Sequence, residues 1–481
     1  MKTVPNTIEG IHYSTGQPVR LTIANGLIGS IEHMGTESGR TTGQESDRTT
    51  ARNLPVIAPG LVDLQVNGIM GIDFNDPDLN AERVEAASSH LLHHGVTAYC
   101  PTLITGPAER TTRLIGVIAE AAGRGGLAGA MITGIHIEGP FISREPGPRG
   151  AHPQRYCTDP DPELFKRWQD RAEGRIRILT LAPELPGSEA MIRLCIQMGA
   201  IAAIGHTAAG SEEIKRAADA GATLSTHLGN GAHAVLPRHP NYIWDQLAEE
   251  RLCASFIADG FHLPDAVLRV FMAVKREKAI LVSDSMEYSG MPPGVYQSPA
   301  TGRIRLTPEG KLHREGDPGT LAGSASLLLD GVRRITRLRG LSHAWNMASL
   351  HPSNLLFENS GNGPVRTAGH SEDHGSADRF RPSASDAAGV RTVGHSEDHG
   401  SADRSRTGAS DAADGLRDDA LAAADGLQSG ASEAADGLWS GASAAADGLR
   451  PGAPADLVLL NHTEGEIRLL KILKNGVGHV P

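Results

Sequence analysis

Cysteine is scarce in this sequence, and its few copies lie far apart. The 481 residues include only Cys100, Cys157, Cys195 and Cys253, and no two of them form a Cys-x-x-Cys pair. This pattern favours buried, reduced thiols over a paired-cysteine site.

Long apolar runs and an excess of basic residues are also missing. No segment approaches the roughly 20 apolar residues that span a bilayer, and the N-terminal Met-Lys-Thr-Val-Pro-Asn lacks the apolar stretch of a signal peptide. The net charge of -11 and the pI near 6.0 argue against a nucleic-acid-binding protein, because phosphate contacts need clustered Lys and Arg. We therefore expect a soluble cytoplasmic protein that binds neither nucleic acid nor membrane.

Eight short apolar segments between residues 60 and 284 each end in a polar residue. These polar ends are Asn67, Thr102, Glu138, Glu184, His206, His227, Asp259 and Asp284. Helical patterns lie between and after them, over Ala81–His93, Glu109–Ala122, Ser188–Met198, Ser211–Ala220, Ala266–Glu277, Leu321–Arg339 and a stretch ending near Phe357. Apolar strands that alternate with helices predict an α/β fold, a (β/α)8 TIM barrel over residues 57–360, with the catalytic groups at the strand ends.

Short alternating segments at both termini predict a second, smaller domain. Val19–Ile23 and Leu27–Ile31 flank Asn25-Gly26, a strong hairpin signal, and Gly35–Arg52 is expected to be an exposed loop. Ala455–Leu460 and Ile467–Leu473 are strand-like near the other end. We expect residues 1–56 and 453–481 to pair into one small β-sandwich beside the barrel.

Residues 361–452 consist of repeats. A 25-residue unit containing His370 and His374 occurs again with His395 and His399, and Ala-Asp-Gly-Leu then recurs every 11 residues. Each repeat offers too little apolar surface to offset chain entropy, so we expect a disordered insertion. The His-x3-His spacing suits zinc only on a helix, and solvated histidines are the expected alternative.

Three strand ends carry the donors of a hydrolytic metal site. Glu138, His206 and His227 would lie together at the barrel mouth, and two histidines with one carboxylate leave an open position for water on a zinc-like ion. Asp284 ends the eighth strand, where a carboxylate can take a proton from water and pass it to a leaving amine. Its alternative role is a helix N-cap.

The chain also resembles a known enzyme family over about residues 55–360 and 455–460. The stretches that carry the resemblance are Pro59–Gly68, Asp73–Asp76, Gly95–Thr97, Pro101–Thr102, His136–Phe141, Gly150–Pro153, Leu181–Glu184, Gly205–Thr207, Thr226–Asn230, Ala258–His262, Ser283–Asp284 and Leu321–Ser324. They are similar to the N-acetylglucosamine-6-phosphate deacetylase family of the amidohydrolase superfamily. The resemblance implies metal-dependent deacetylation of N-acetyl-D-glucosamine 6-phosphate by a homodimer.

The resemblance also implies a role for each site residue. Glu138, His206 and His227 would bind one divalent metal ion per subunit, zinc or otherwise iron, manganese or cobalt, and Asp284 would act as general base and acid. The implied substrate contacts are His152, Asn230, Gly231, Arg238, His262 and Gly323. Of these, Arg238 would hold the 6-phosphate, often from the partner subunit, as suits a guanidinium fork.

Departures from the family pattern leave alternatives open. Gln65 and Asn67 stand where many amidohydrolases have a His-x-His pair, which favours one metal ion instead of two. The loop 228–244 is unusually rich in histidine and aromatic residues, so another N-acyl hexosamine, such as N-acetylgalactosamine 6-phosphate or an unphosphorylated sugar, or a cyclic amide remains an alternative substrate. A non-catalytic scaffold with a repeat-mediated partner site is the alternative from another class.

Overall fold

All eight predicted barrel strands are present, and they pair in chain order as one parallel sheet. Their bounds are Leu61–Val66, Val96–Ile104, Ile135–Glu138, Ile176–Leu181, Ile201–Ile204, Leu224–Ser225, Cys253–Ile257 and Ala279–Val282. Backbone hydrogen bonds from Asp284 to Gln65 (3.0 Å) and from Asn67 to Ser285 (2.8 Å) join the end of the eighth strand to the first. The predicted barrel is therefore confirmed.

The structure, a computed structural model, describes residues 6–34, 54–298, 302–358, 449–463 and 466–481. All of these belong to one compact unit of the chain. The predicted loop Gly35–Arg52 and residues 361–448 of the repeat region, with the repeat histidines, lie outside the described residues, so both predictions and the domain boundaries stay predictions.

Alternate strand residues face the barrel interior and the surrounding helices. In the fifth strand, Ile201 and Ala203 belong to an interior cluster with residues such as Val62, Ile178 and Ile280. Their neighbours Ala202 and Ile204 pack in the outer core with the helices. This alternation follows from the two-residue period of a strand, and it fills the barrel with branched apolar side chains.

The helices between and after the strands match most of the predicted ones. They cover Ala81–His93, Ala108–Gly123, Gly126–Met131, Pro162–Arg171, Ser188–Gln197, Ser211–Ala220, Tyr242–Ala248, Asp265–Lys275, Leu328–Arg339, Leu341–Ala348 and Leu350–Glu358, with 3₁₀ turns at Gln154–Tyr156 and Arg276–Lys278. Two helices that the sequence analysis missed begin at ordinary caps. Asp161 accepts a hydrogen bond from the Leu164 amide, and Asn241 accepts from Ile243 and Trp244.

The segment after the eighth strand was only partly predicted. It forms an antiparallel four-stranded sheet, with strands Gly294–Ser298, Gly302–Leu306, Leu312–Arg314 and Asp317–Leu321. The helix predicted from Leu321 begins only at Leu328. Gly323 has a φ of 112°, and Ser324 pairs with Ser285, so the intervening residues cannot be helical.

The N- and C-terminal segments join as predicted into one separate seven-stranded sheet. Its order is Val477–His479, Glu466–Lys474, Leu457–Thr463, Val56–Pro59, Asn6–His12, Pro18–Ala24 and Leu27–His33. Residues 452–455, which lead into the third of these strands, hydrogen-bond to Gly26 and Ile28 at the far edge, so the sheet curls back on itself. Asn25 and Gly26 both have positive φ, as the predicted hairpin turn requires.

None of the helices in the described ranges is long and apolar enough to cross a bilayer. The four cysteines form no disulfide in the described part of the chain. Three of them are buried, and Cys253 is half-buried.

The short strands Gly68–Ile69 and Ile72–Asp73 form a small hairpin directly after the first barrel strand.

Candidate metal centre and active site

Three predicted metal ligands from separate strand ends meet at one point. The Nε2 atoms of His206 and His227 lie 3.2 and 2.9 Å from Oε1 of Glu138, and the donor atoms of all three residues lie within 4.8 Å of one another. All three side chains are buried. Within the described ranges this is the one cluster of its kind, and it matches the sequence prediction.

The backbone is strained where these side chains leave the strands. His206, His227 and Asp284 have φ values of 51°, 27° and 48°, in a region that costs a residue with a side chain about 1–2 kcal/mol. Each follows the last residues of a parallel strand and turns its side chain into the barrel mouth. Such strain persists where the surrounding structure over-determines it, typically at functional sites.

The hydrogen bonds of His206 show that this cluster suits a cation. Its Nδ1 donates to the Pro148 carbonyl at 2.9 Å, which leaves a lone pair on Nε2 in the neutral ring. That lone pair faces the Glu138 carboxylate, and two electron-rich groups repel each other. The arrangement is favourable when a cation lies between the two groups or when the imidazole carries a second proton. Zinc takes imidazole nitrogen and carboxylate oxygen donors of this kind, so the residues present fit a divalent metal.

The pKa shifts of Glu138 and His227 also indicate that the cluster suits a cation. Burial by itself would raise the pKa of Glu138, but hydrogen bonds and charge from His206 and His227 hold that pKa well below its usual range. Burial would also lower the pKa of His227, but Glu138 raises it to about 9. The centre therefore attracts positive charge strongly.

The first strand supplies two amides to the two carboxylates of the site. Gln65 donates from Nε2 to Oε1 of Glu138 at 2.9 Å, and Asn67 donates from Nδ2 to Oδ1 of Asp284 at 2.7 Å. Burial and the charge of Glu138 raise the pKa of Asp284 to about 6. Asp284 thus lies beside the cluster as predicted. Gln65 and Asn67, which stand where many amidohydrolases have histidines, donate hydrogen bonds to the two carboxylates.

The two predicted substrate histidines are fixed by partners that the sequence analysis did not identify. The His152 ring lies 4.3 Å from the His206 ring, and its Nδ1 is 2.8 Å from Oγ1 of Thr105. Burial and neighbouring His206 lower the pKa of His152 to about 3, so it is neutral at pH 7. His262 Nδ1 lies 2.6 Å from Oδ2 of Asp259.

The loop after His227 brings some of its predicted substrate residues to the centre and not others. Asn230 donates from Nδ2 to the His227 carbonyl at 3.2 Å. Gly231 has a φ of 54°, and a Cβ there would lie 2.7 Å from Nδ1 of His206, so glycine lets the loop cover this ligand. The Arg238 side chain is exposed to solvent and does not join the cluster. Gly323 packs against Met286, two residues after Asp284.

Three further residues support the site and were missed as such. Thr105 follows the second strand and contacts His152, while Asp259 and Glu184 hold the segments that follow the seventh and fifth strands. Asp259 and Glu184 were visible in the sequence as polar strand ends, and Asp259 stands three residues before His262, close enough to pair with it. Nothing in the sequence distinguished Thr105 from an ordinary loop threonine.

Comparison with known proteins identifies relatives of the barrel. Residues 56–288 match the model of the amidohydrolase family. The chain is 34% identical over 315 residues to N-acetylglucosamine-6-phosphate deacetylase of Bos taurus, covering 63% of this chain and 74% of that protein. It is 35% identical over 327 residues to the enzyme of the same name from Bacillus subtilis, covering 66% of this chain and 80% of that protein. Similarity extends to N-acetylgalactosamine-6-phosphate deacetylase of Escherichia coli O157:H7, at 30% identity over 70% of this chain and 85% of that protein.

Solved structures share this fold. A variant of N-acetyl-D-glucosamine-6-phosphate deacetylase from Mycobacterium smegmatis, in complex with N-acetyl-D-glucosamine-6-phosphate, superposes with a TM-score of 0.70 at 23% identity, covering 99% of this chain and 100% of that one. N-acetylglucosamine-6-phosphate deacetylase from Pasteurella multocida gives a TM-score of 0.68 at 19% identity, with coverage of 99% and 100%. At these identities the likeness bears on the fold.

Proposed function

This chain belongs to the N-acetylglucosamine-6-phosphate deacetylase family of the amidohydrolases, and we propose that it hydrolyses N-acetyl-D-glucosamine 6-phosphate to glucosamine 6-phosphate and acetate. The family acts on amino-sugar phosphates in amino-sugar catabolism. The observation that carries the proposal is the buried convergence of Glu138, His206 and His227 beside Asp284. This constellation suits hydrolysis of an amide.

Glu138, His206 and His227 would hold one divalent ion per subunit. The donor set favours zinc, and iron, manganese or cobalt fit the same donors. When bound, such an ion polarises the acetyl carbonyl and lowers the pKa of the attacking water. The hydrogen bonds from Gln65 to Glu138 and from Asn67 to Asp284 support a single ion, because both amide nitrogens donate where a second ion would need ligands.

Asp284 would carry the proton between the two halves of the reaction. It accepts a proton from the water that attacks the acetyl carbon, then gives it to the amine nitrogen as the C–N bond breaks. Oδ1 accepts from Asn67, which leaves Oδ2 for the proton. The elevated pKa of Asp284, about 6, suits a group that must both take and release a proton near neutral pH.

The remaining predicted residues would bind the sugar. His152 and His262 would hold the hydroxyls and the amide, since each ring has Nδ1 fixed by Thr105 or Asp259 and no hydrogen-bond partner for Nε2 among the described residues. Asn230, Gly231 and Gly323 would line the site around them.

A cytoplasmic location fits this substrate, because a charged sugar phosphate crosses membranes poorly unaided.

A homodimer would explain why Arg238 is exposed. On the same loop, the side chains of Val235 and Trp244 are 87% and 53% exposed. Tryptophan and arginine side chains are enriched at protein–protein interfaces. We propose that this loop enters the site of the partner subunit, where Arg238 would hold the 6-phosphate.

The second candidate substrate is N-acetylgalactosamine 6-phosphate. The similarity to the Escherichia coli enzyme of that name favours it, as does the unusual loop. His233 in this loop lies 3.0 Å from the Tyr242 hydroxyl and 3.2 Å from Oε2 of Glu145. Its imidazole therefore stands at the rim of the mouth, where sugar epimers can be distinguished by hydrogen bonding.

One substrate screen tests the proposal. Purified protein would be analysed for bound metal and then assayed for acetate release from both N-acetylhexosamine 6-phosphates and from their unphosphorylated forms. We expect about one metal equivalent and the highest kcat/KM for N-acetylglucosamine 6-phosphate. Metal-replete protein that releases acetate from none of the phosphorylated sugars would contradict the proposed function.

A further inference from the structure

Glu184 joins the end of the fourth barrel strand to the loop that follows the fifth. Its Oε2 accepts a hydrogen bond from the Thr207 hydroxyl at 2.5 Å, and its Oε1 accepts one from the Ala208 amide at 2.7 Å. Thr207 is buried, and its Oγ1 also accepts from the Ala209 amide at 2.9 Å. The carboxylate therefore holds Thr207 and Ala208, the two residues that directly follow His206, and Thr207 in turn holds Ala209.

His206 itself is held by a different segment of the chain. The His206 carbonyl accepts from the Ser143 amide at 2.9 Å, and its Nδ1 donates to the Pro148 carbonyl at 2.9 Å. Both partners belong to the loop after the third strand. Glu184 is the partner that holds the chain just beyond His206, where the backbone leaves an unfavourable φ of 51°.

Two ordinary roles do not account for Glu184. The helix Ser211–Ala220 is capped by its own Glu213, whose Oε2 accepts from the Gly210 amide, so Glu184 is not needed as a cap. Within the described residues, no Lys, Arg or His lies within ion-pair distance of Glu184. A half-buried carboxylate without a cation depends on its hydrogen bonds, and both of those bonds go to the segment after His206.

We propose that Glu184 is a positioning residue for His206, holding the Thr207–Ala208 backbone so that Nε2 of His206 stays directed at the metal position. The inference rests on the proposed function only in that His206 binds a metal. Without this carboxylate, the backbone at His206 would relax from its positive φ, and the imidazole would turn away from Glu138 and His227. Metal affinity would then fall without any change to the three ligands.

The test compares variants that keep or remove the two hydrogen bonds. Glu184→Ala removes both and Thr207→Val removes one, whereas Glu184→Gln and Thr207→Ser can keep them. The zinc Kd of each full-length protein would be measured by competition with a chelator, without substrate, together with the Tm of the metal-free form. Glu163→Ala, an exposed glutamate paired with Lys166, is the control.

We expect Glu184→Ala and Thr207→Val to weaken zinc binding about tenfold, as partners of metal ligands typically do. Glu184→Gln and Thr207→Ser should stay within about threefold of wild type, since the glutamine amide and the serine hydroxyl can form the same two hydrogen bonds. The double variant Glu184→Ala, Thr207→Val should lose little more affinity than Glu184→Ala, because both changes break the contact between Glu184 and the segment after His206. If Glu184→Ala fails to fold, Thr207→Val alone decides.

Unchanged zinc affinity in folded Glu184→Ala, or in Thr207→Val, would overturn the proposal. So would equal losses in Glu184→Ala and Glu184→Gln, because the lost charge rather than the lost positioning would then explain them. The proposed function fails separately: wild type that binds no zinc, or binds zinc but deacetylates no hexosamine phosphate, contradicts the catalytic assignment. If wild type binds zinc but is inactive, the zinc affinities of the Glu184 and Thr207 variants still test the positioning role of Glu184.

Discussion

Asn67 and Asp284 stand 217 positions apart in the chain, yet Nδ2 of Asn67 donates to Oδ1 of Asp284 at 2.7 Å. The contact forms where the eighth strand closes against the first. It fixes one oxygen of the proposed general base and leaves the other for the reacting proton. The Asn67 amide therefore orients the carboxylate of the proposed general base.

We expect Asn67→Ala to lower kcat about tenfold, because Asp284 loses the donor that orients it. Zinc content should stay at the wild-type level, since Asn67 does not touch the cluster ligands. Steady-state kinetics and elemental analysis would be compared with Asn461→Ala, an exposed asparagine of the terminal sheet. Equal kcat for Asn67→Ala and wild type would show that this hydrogen bond does not matter.

Asp284→Asn tests the proton carrier directly. The amide keeps an acceptor for Asn67 but cannot take a proton from water, so kcat should fall by about a thousandfold. The metal ligands are untouched, and bound zinc should remain near one equivalent. A variant with near-normal turnover would rule out Asp284 as general base.

Arg238→Ala tests the phosphate contact. A lost charge-assisted hydrogen bond is worth about 1.5–3 kcal/mol, so KM for the phosphorylated sugar should rise at least about tenfold with little change in kcat. Turnover of the unphosphorylated sugar should not change. If both sugars are affected alike, Arg238 does not recognise the phosphate.

Mixed dimers would show which subunit supplies Arg238. In a hybrid of Arg238→Ala and Asp284→Asn, a contact across the interface leaves one site with both residues intact. We therefore expect the mixture to recover turnover of the phosphorylated sugar at the wild-type KM, which neither variant shows alone. No recovery in a mixture shown to contain hybrids would place Arg238 in its own subunit's site, or outside the sites altogether.

Asp63 makes stability depend on pH. Its Oδ1 accepts from the Ser283 amide at 3.2 Å, while Oδ2 has no hydrogen-bond partner among the described residues. Burial raises the pKa of Asp63 to about 7 from 3.8. The folded protein thus holds this proton more tightly than the unfolded chain, and the resulting stability is complete below about pH 4 and lost as the pH rises through 7.

Asp63→Asn keeps an acceptor for Ser283 and has no charge to bury. The Tm of the variant relative to wild type should therefore increase between pH 5 and pH 8, as measured by thermal unfolding at constant ionic strength. Asp78→Asn, at an exposed position, is the control and should show no such trend. A constant difference between Asp63→Asn and wild type would mean that Asp63 is ionised throughout.

The sequence alone was sufficient for the barrel and for the four residues at its centre. The short apolar runs, the polar residues that end them and the helical patterns between them are local properties, so they predicted all eight strands together with Glu138, His206, His227 and Asp284. The small sheet after the eighth strand and the helix Pro162–Arg171 escaped, although Asp161-Pro162 is a recognisable helix start. Short elements carry too few periodic residues to stand out from loops.

What only the tertiary structure decided is which groups hold the centre in place. Asn67 reaches Asp284 and Gln65 reaches Glu138 because barrel closure brings the first strand beside the eighth and near the third. In the same way, Glu184 reaches Thr207 because neighbouring parallel strands end at one edge. The apolar runs and their polar ends are local features of the sequence. The contacts between strands depend instead on strand order and register, which bring together residues that are far apart in sequence.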